Sequence, residues 1–79
     1  MKATVIVELK EGVLDPQGQA IQQLLFQRGY SQIEQVRVGK KVEFELSGVS
    51  PEQGKALLAE VADKLLANPI IEKYRIDVE

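Results

Sequence analysis

The hydrophobic patterning of this 79-residue chain predicts an α+β fold of two layers, with two helices on one face of a largely antiparallel sheet. Runs near both ends alternate apolar and polar residues with the period of a strand. Asp15-Pro16 and Ser50-Pro51 each open a segment whose apolar residues recur with the period of a helix. No repeat, linker or low-complexity stretch interrupts the pattern, so residues 1–79 read as one domain.

Each element follows in order. Ala3, Val5, Val7 and Leu9 alternate with Thr4, Ile6 and Glu8, which predicts a first strand with one buried face. Asp15 then serves as N-cap and Pro16 as first residue of a helix, because a carboxylate accepts the free N–H groups there and proline lacks one to lose. Ile21, Leu24, Leu25 and Arg28 continue it along one stripe, and Gly29 stands where a left-handed residue ends a helix. Phe26 lies off the stripe, either as a scattered exposed residue or as a contact with another subunit.

In the middle, Val36, Val38, Val42, Phe44 and Leu46 share one parity across Gly39, with Arg37, Lys41, Glu43 and Glu45 on the other. A hairpin with a three-residue loop fits this pattern, and so does one long strand bent at Gly39. Ser50, Pro51 and Gln53 form a capping box for a second helix, whose apolar arc runs through Leu57, Leu58, Val61, Ala62, Leu65 and Leu66. Asn68-Pro69 stops it, because the residue before a proline is pushed out of the helical region. Ile70, Tyr74, Ile76 and Val78 then alternate with Ile71, Lys73, Arg75 and Asp77 as the last strand. The order β-α-β(-β)-α-β is ferredoxin-like.

Composition narrows function. Cysteine and histidine are both absent, which removes thiolate nucleophiles, imidazole acid/base groups, disulfides and the usual zinc or haem ligands. The formal charge is -2 with no like-charged run, so the footprint of a nucleic-acid binder is missing. No segment is long and apolar enough to span a bilayer and the opening residues lack a secretory pattern, so the expected address is the cytoplasm, with no membrane partner. A domain this small removes only about 60% of its unfolded surface from water, and self-association is expected.

Three stretches stand out. Gly12 and Gly18 in "LKEGVLDPQGQAI" match neither a dinucleotide fingerprint nor a P-loop. A strand-to-helix loop accounts for Gly12 and Asp15 but not for Gly18, where alanine would be better by about 0.5–1 kcal/mol. A close backbone contact at Gly18, with a partner among the candidates, would explain the choice. "RVGKK" groups Arg37, Lys40 and Lys41 around Gly39, as a lysine-guarded sheet edge or a small anion site. "LLANPIIEKYRID" joins helix to strand through Asn68-Pro69 as a rigid corner. The charged parity of the strands lacks the aromatics of an RNA-binding sheet, and its carboxylates Glu8, Glu43 and Glu45 are interleaved with cations that suit ion pairs better than a metal.

"LKEGVLDPQGQAI", "GY" at the first helix exit, "VRVGKKVEFEL" and "LLANPIIEKYRI" together resemble the PurS family, the small subunit of phosphoribosylformylglycinamidine synthase in bacteria and archaea. The resemblance covers nearly the whole chain. It implies a subunit without catalytic residues that forms dimers or tetramers and bridges a glutaminase subunit, which releases ammonia, and a synthetase subunit. ATP and magnesium would be used by the synthetase, with no cofactor bound by this chain. The family-like segments are then the expected interfaces: Lys10, Gly12, Asp15 and Gly18; Arg37, Gly39 and Lys40; Asn68, Pro69 and Tyr74. Gly18 and Asn68 would shape backbone, and Arg37 or Lys40 would supply charge. The alternative from another class is a regulatory module that binds a small amino acid or nucleotide at the Gly12–Gly18 loop.

Overall fold

A computed structural model describes residues 1–79. Strand β1 (Lys2–Leu9) occupies the centre of a three-stranded antiparallel sheet, between β2 (Lys40–Glu45) and β3 (Glu72–Val78). Val5 lies opposite Val42 on one side and Ile76 on the other, so the inward parities of all the strands coincide. Ala3, Val5 and Val7 are fully buried on that face, and Leu58, Ala62 and Ala67 close over them. With helices α1 (Pro16–Gln27) and α2 (Pro51–Val61), the architecture is the ferredoxin-like α+β arrangement that the patterning predicts.

Helix α2 lies against the sheet and begins as expected. The Ser50 hydroxyl accepts from the Gln53 N–H at 3.1 Å, and the Gln53 side chain accepts from the Ser50 N–H at 2.9 Å. Its last turn, Ala62–Leu66, is π-helical, with the Ala67 N–H donating to the Ala62 carbonyl five residues back at 2.8 Å. The extra residue in this turn shifts the helical phase. Leu66 takes the inward position, and Leu65, placed on the buried arc by simple periodicity, is 79% exposed. Leu57 is also largely exposed, and Ile70 stands at 81% exposure because β3 starts only at Glu72.

Helix α1 has the expected ends and an unexpected setting. Asp15 caps it, and Gly29 closes it at φ +92° with the paired bonds Gly29 N–H to Phe26 and Tyr30 N–H to Leu25. Yet α1 makes almost no contact with the strands or α2. Leu24 is 50% exposed, Ile21 is exposed as well, and Gly18 is the one buried residue of the helix. The radius of gyration, 16.0 Å, exceeds the value of about 12 Å expected for a compact chain of this length. The apolar stripe of α1 is real, but within a single chain it faces water.

The middle segment resolves into one strand. No turn reverses the chain at Gly39, so the hairpin falls, and so does one long strand bent there, because only Lys40–Glu45 is strand. Residues 33–39 instead form an arm without regular secondary structure that leads into β2. Gln35, at φ +54°, bends the arm. Gly39 passes so close to β1 that a Cβ there would lie 2.8 Å from the Val7 carbonyl oxygen.

Candidate functional site

The segments singled out from the sequence meet at one end of the sheet. Leaving β1, Lys10 donates through its backbone N–H to the Ile71 carbonyl at 2.9 Å and through Nζ to the Pro69 carbonyl at 2.8 Å. Loop and corner are thereby joined. Within the corner, Asn68 Oδ1 accepts from the Ile70 N–H, and the Glu72 carboxylate accepts from the Asn68 N–H at 2.7 Å. The Asn68 backbone oxygen takes the N–H groups of Ile71 and Glu72, which makes the turn rigid despite its exposure.

Arg37 reaches from the arm into the loop. Its Nη1 donates to the Val13 carbonyl at 2.9 Å and its Nη2 to the Lys10 carbonyl at 3.2 Å, while Nε lies 4.0 Å from Asp15 Oδ2. Asp15, only 5% exposed, holds two chain segments at once. Oδ1 accepts from the Gly18 N–H at 2.8 Å inside α1, and Oδ2 accepts from the Val38 N–H at 2.7 Å in the arm. Both bonds stabilise the ionised form. The Val38 N–H and then the Gly18 N–H lower the Asp15 pKa below its usual 3.8, desolvation opposes them, and the Arg37 charge adds to the lowering.

The choice of glycine at position 18 follows from this geometry. A Cβ there would run into the Val36 backbone carbonyl, so the close approach inferred from the sequence is made by the chain's own arm. Gln22, one turn further along α1, accepts from the Val36 N–H at 3.3 Å. Sequence reasoning missed Gln22, although its place four residues after Gly18, on the same helix face, is a usable signal. It also missed Glu72 and the outward Leu65.

Lys10, Asp15, Gly18, Arg37, Gly39, Asn68 and Pro69 therefore belong to one junction. Gly12 sits in its loop at φ +82° with open space around it, and Lys40 is exposed at the start of β2, next to Gly39 in the chain. Tyr74 does not join them. It faces the core side and donates its hydroxyl to the Ala59 carbonyl of α2 at 3.3 Å. An open groove beside the junction is lined by Glu8, Glu11, Gln19, Gln22, Gln35 and Lys73, among others. It lacks a nucleophile with an adjacent base, and no group of three or more carboxylates could hold a metal ion. No helix is long and apolar enough to cross a membrane. Chemically, the junction positions segments of chain.

Residues 2–79 match the family model PurS, phosphoribosylformylglycinamidine (FGAM) synthase. This chain belongs to the PurS family. The PurS subunit of Bacillus subtilis is 45% identical over 99% of the chain and 92% of its own length, and that of Methanocaldococcus jannaschii is 42% identical over 99% and 94%. The crystal structure of the M. jannaschii PurS, one of the subunits of formylglycinamide ribonucleotide amidotransferase in the purine biosynthetic pathway, superposes with a TM-score of 0.88 over 99% of this chain and 94% of that one. A chain in the structure of PurLQS from Thermotoga maritima gives a TM-score of 0.85 at 25% identity, covering 96% of this chain and 93% of that one. The PurS fold therefore occurs both in a separately crystallised subunit and within a larger assembly.

Proposed function

We propose that this chain is the non-catalytic bridging subunit of its FGAM synthase, holding the glutaminase and synthetase subunits in a relation that lets ammonia pass between them. Membership of the PurS family places it in purine biosynthesis as a subunit of that multisubunit enzyme. The observation that carries the finer reading is the apolar face of α1, exposed on a molecule that offers no catalytic constellation. A small chain that leaves Ile21 and Leu24 of this stripe in water, and Phe26 beside it, is incomplete alone.

In this reading the molecule divides its surface between partners. A second copy covers α1 and the arm, where the N–H groups of Gln35 and Arg37 have no partner within the chain and are free to meet another backbone. The catalytic subunits take the corner at the C-terminal end of α2, where the π turn and the bonded Asn68 loop hold Leu65 and Ile70 out to solvent. The regulatory-module alternative has no such support, since no buried side-chain polar atom lacks a hydrogen-bond partner that a ligand would supply. ATP and magnesium would act on the synthetase subunit alone. Confining ammonia keeps it from escaping to water and being protonated.

The test is amidine formation by the synthetase and glutaminase subunits with and without this chain, with glutamine and then ammonium as nitrogen donor. Glutamine-dependent synthesis should require the chain and ammonium-dependent synthesis should proceed without it. Equal rates with and without the chain for both donors would remove the bridging role.

A further inference from the structure

Helix α1 makes almost no contact with the strands or α2, and the arm has no regular secondary structure, yet both have a defined place. What fixes them is mutual. The arm crosses the first turn of α1 against Gly18, whose missing side chain leaves room for the Val36 carbonyl. The Val36 N–H is taken by Gln22 of α1, and the Val38 N–H by Asp15. Asp15 is the one residue that bonds helix and arm with the same group, one carboxylate oxygen to each.

We propose that Asp15 is the positioning residue for self-association, its carboxylate clamping helix α1 to the arm in the single orientation that a second copy can dock. The proposal rests on the reading above that α1 and the arm meet a second copy. Nothing in helix capping alone requires aspartate here, because serine and asparagine cap equally well through one oxygen. Only a carboxylate offers two acceptor atoms and no donor. Asparagine would turn an NH2 group toward the Val38 N–H, and serine would not reach it. Arg37, with Nε 4.0 Å from the outer oxygen and its Nη atoms on the loop carbonyls, adds a cation beside the carboxylate on the side of the arm.

Asp15→Asn and Asp15→Ser therefore separate clamp from cap. Three quantities are measured on the full chain: helix content by circular dichroism, exchange of the Val38 amide proton by NMR, and the dissociation constant of self-association by sedimentation. Both variants should keep α1, exchange the Val38 proton faster, and associate roughly tenfold to a hundredfold more weakly, the range for losing a hydrogen bond to a charged group. A residue that merely caps the helix would leave exchange and association at the wild-type values in both variants, and that result would overturn the proposal. Loss of α1 itself in both variants would assign Asp15 to the helix alone and overturn it too. A wild-type chain that stays monomeric at every concentration would refute the second-copy reading and the docking role with it. That failure is separable, because Val38 exchange reports on the clamp in a monomer as well.

Discussion

Helices α1 and α2 are built from nearly the same instructions and end in opposite situations. Each starts with a capping side chain followed by proline, carries a glycine in its opening turn, and bears a leucine-rich stripe. Helix α2 spends its stripe on the sheet, with Leu58 and Ala62 fully buried against β1. Helix α1 is tethered to the arm by polar contacts of Asp15 and Gln22 and leaves its stripe in water. Similar periodicity thus ends buried in α2 and exposed in α1, and under the reading proposed above a second copy is what would cover the α1 stripe.

The sharpest way to break this comparison is to truncate one leucine from each stripe. Leu58→Ala should cost about 2–5 kcal/mol, because the side chain is enclosed by the core and its removal leaves a cavity. The loss should appear in urea denaturation at any protein concentration. Leu24→Ala should leave the dilute, monomeric chain within about 0.5 kcal/mol of wild type, the usual range at an exposed site, and weaken self-association instead. A large, concentration-independent loss for Leu24→Ala would mean that α1 packs within its own chain.

The two helical glycines sharpen the contrast further. Gly18→Ala should destabilise the arm by about 1–3 kcal/mol despite the better helix propensity of alanine, because the new methyl group meets the Val36 backbone. Gly54→Ala faces side chains alone, the ends of Leu46 and Met1 at 2.9 and 3.0 Å, which can rotate away, and Val49 at an ordinary contact distance of 3.7 Å. It should be near neutral or gain up to about 1 kcal/mol from propensity. Equal effects at both positions, read by amide exchange across residues 33–39 and by thermal melting, would show that the arm does not press on α1. Ser50→Ala comes next, with an expected cost of about 1 kcal/mol in global stability, since the cap it removes belongs to a helix that is part of the core.

Much of this molecule was legible beforehand, for physical reasons that differ by region. Strand β1 was plain because Ala3, Val5 and Val7 bury one face, which forces strict alternation. Both N-termini were plain because capping is local chemistry. Leu65 was misplaced because the π turn adds a residue that no periodic pattern encodes. The middle segment stayed ambiguous because parity is the same for a hairpin and for one strand bent at Gly39, and parity does not reveal that residues 33–39 leave the sheet. At the junction, Gly18 betrayed a close approach, but its neighbour Val36 could not be named from sequence, since the two lie far apart along the chain.

Acid should give the smallest change in core stability and the clearest local one. The folded-state pKa of Asp15 is lowered, chiefly by the Val38 N–H, so the carboxylate favours folding at any pH above its ordinary value of 3.8. That contribution is lost as the pH falls from about 4 through the lower folded value, when the proton removes the negative charge that both N–H groups require. Because α1 and the arm are scarcely coupled to the sheet, the loss should register as faster exchange at Val38 and Gly18, measured relative to peptide reference rates at each pH. The core strands, read at Val5, should keep their protection over the same interval. In Asp15→Asn the step at Val38 should vanish, since no carboxylate remains to titrate. If Val5 and Val38 lost protection together, the tether would be part of one cooperative unit with the core, and the difference between the helices would be one of exposure alone.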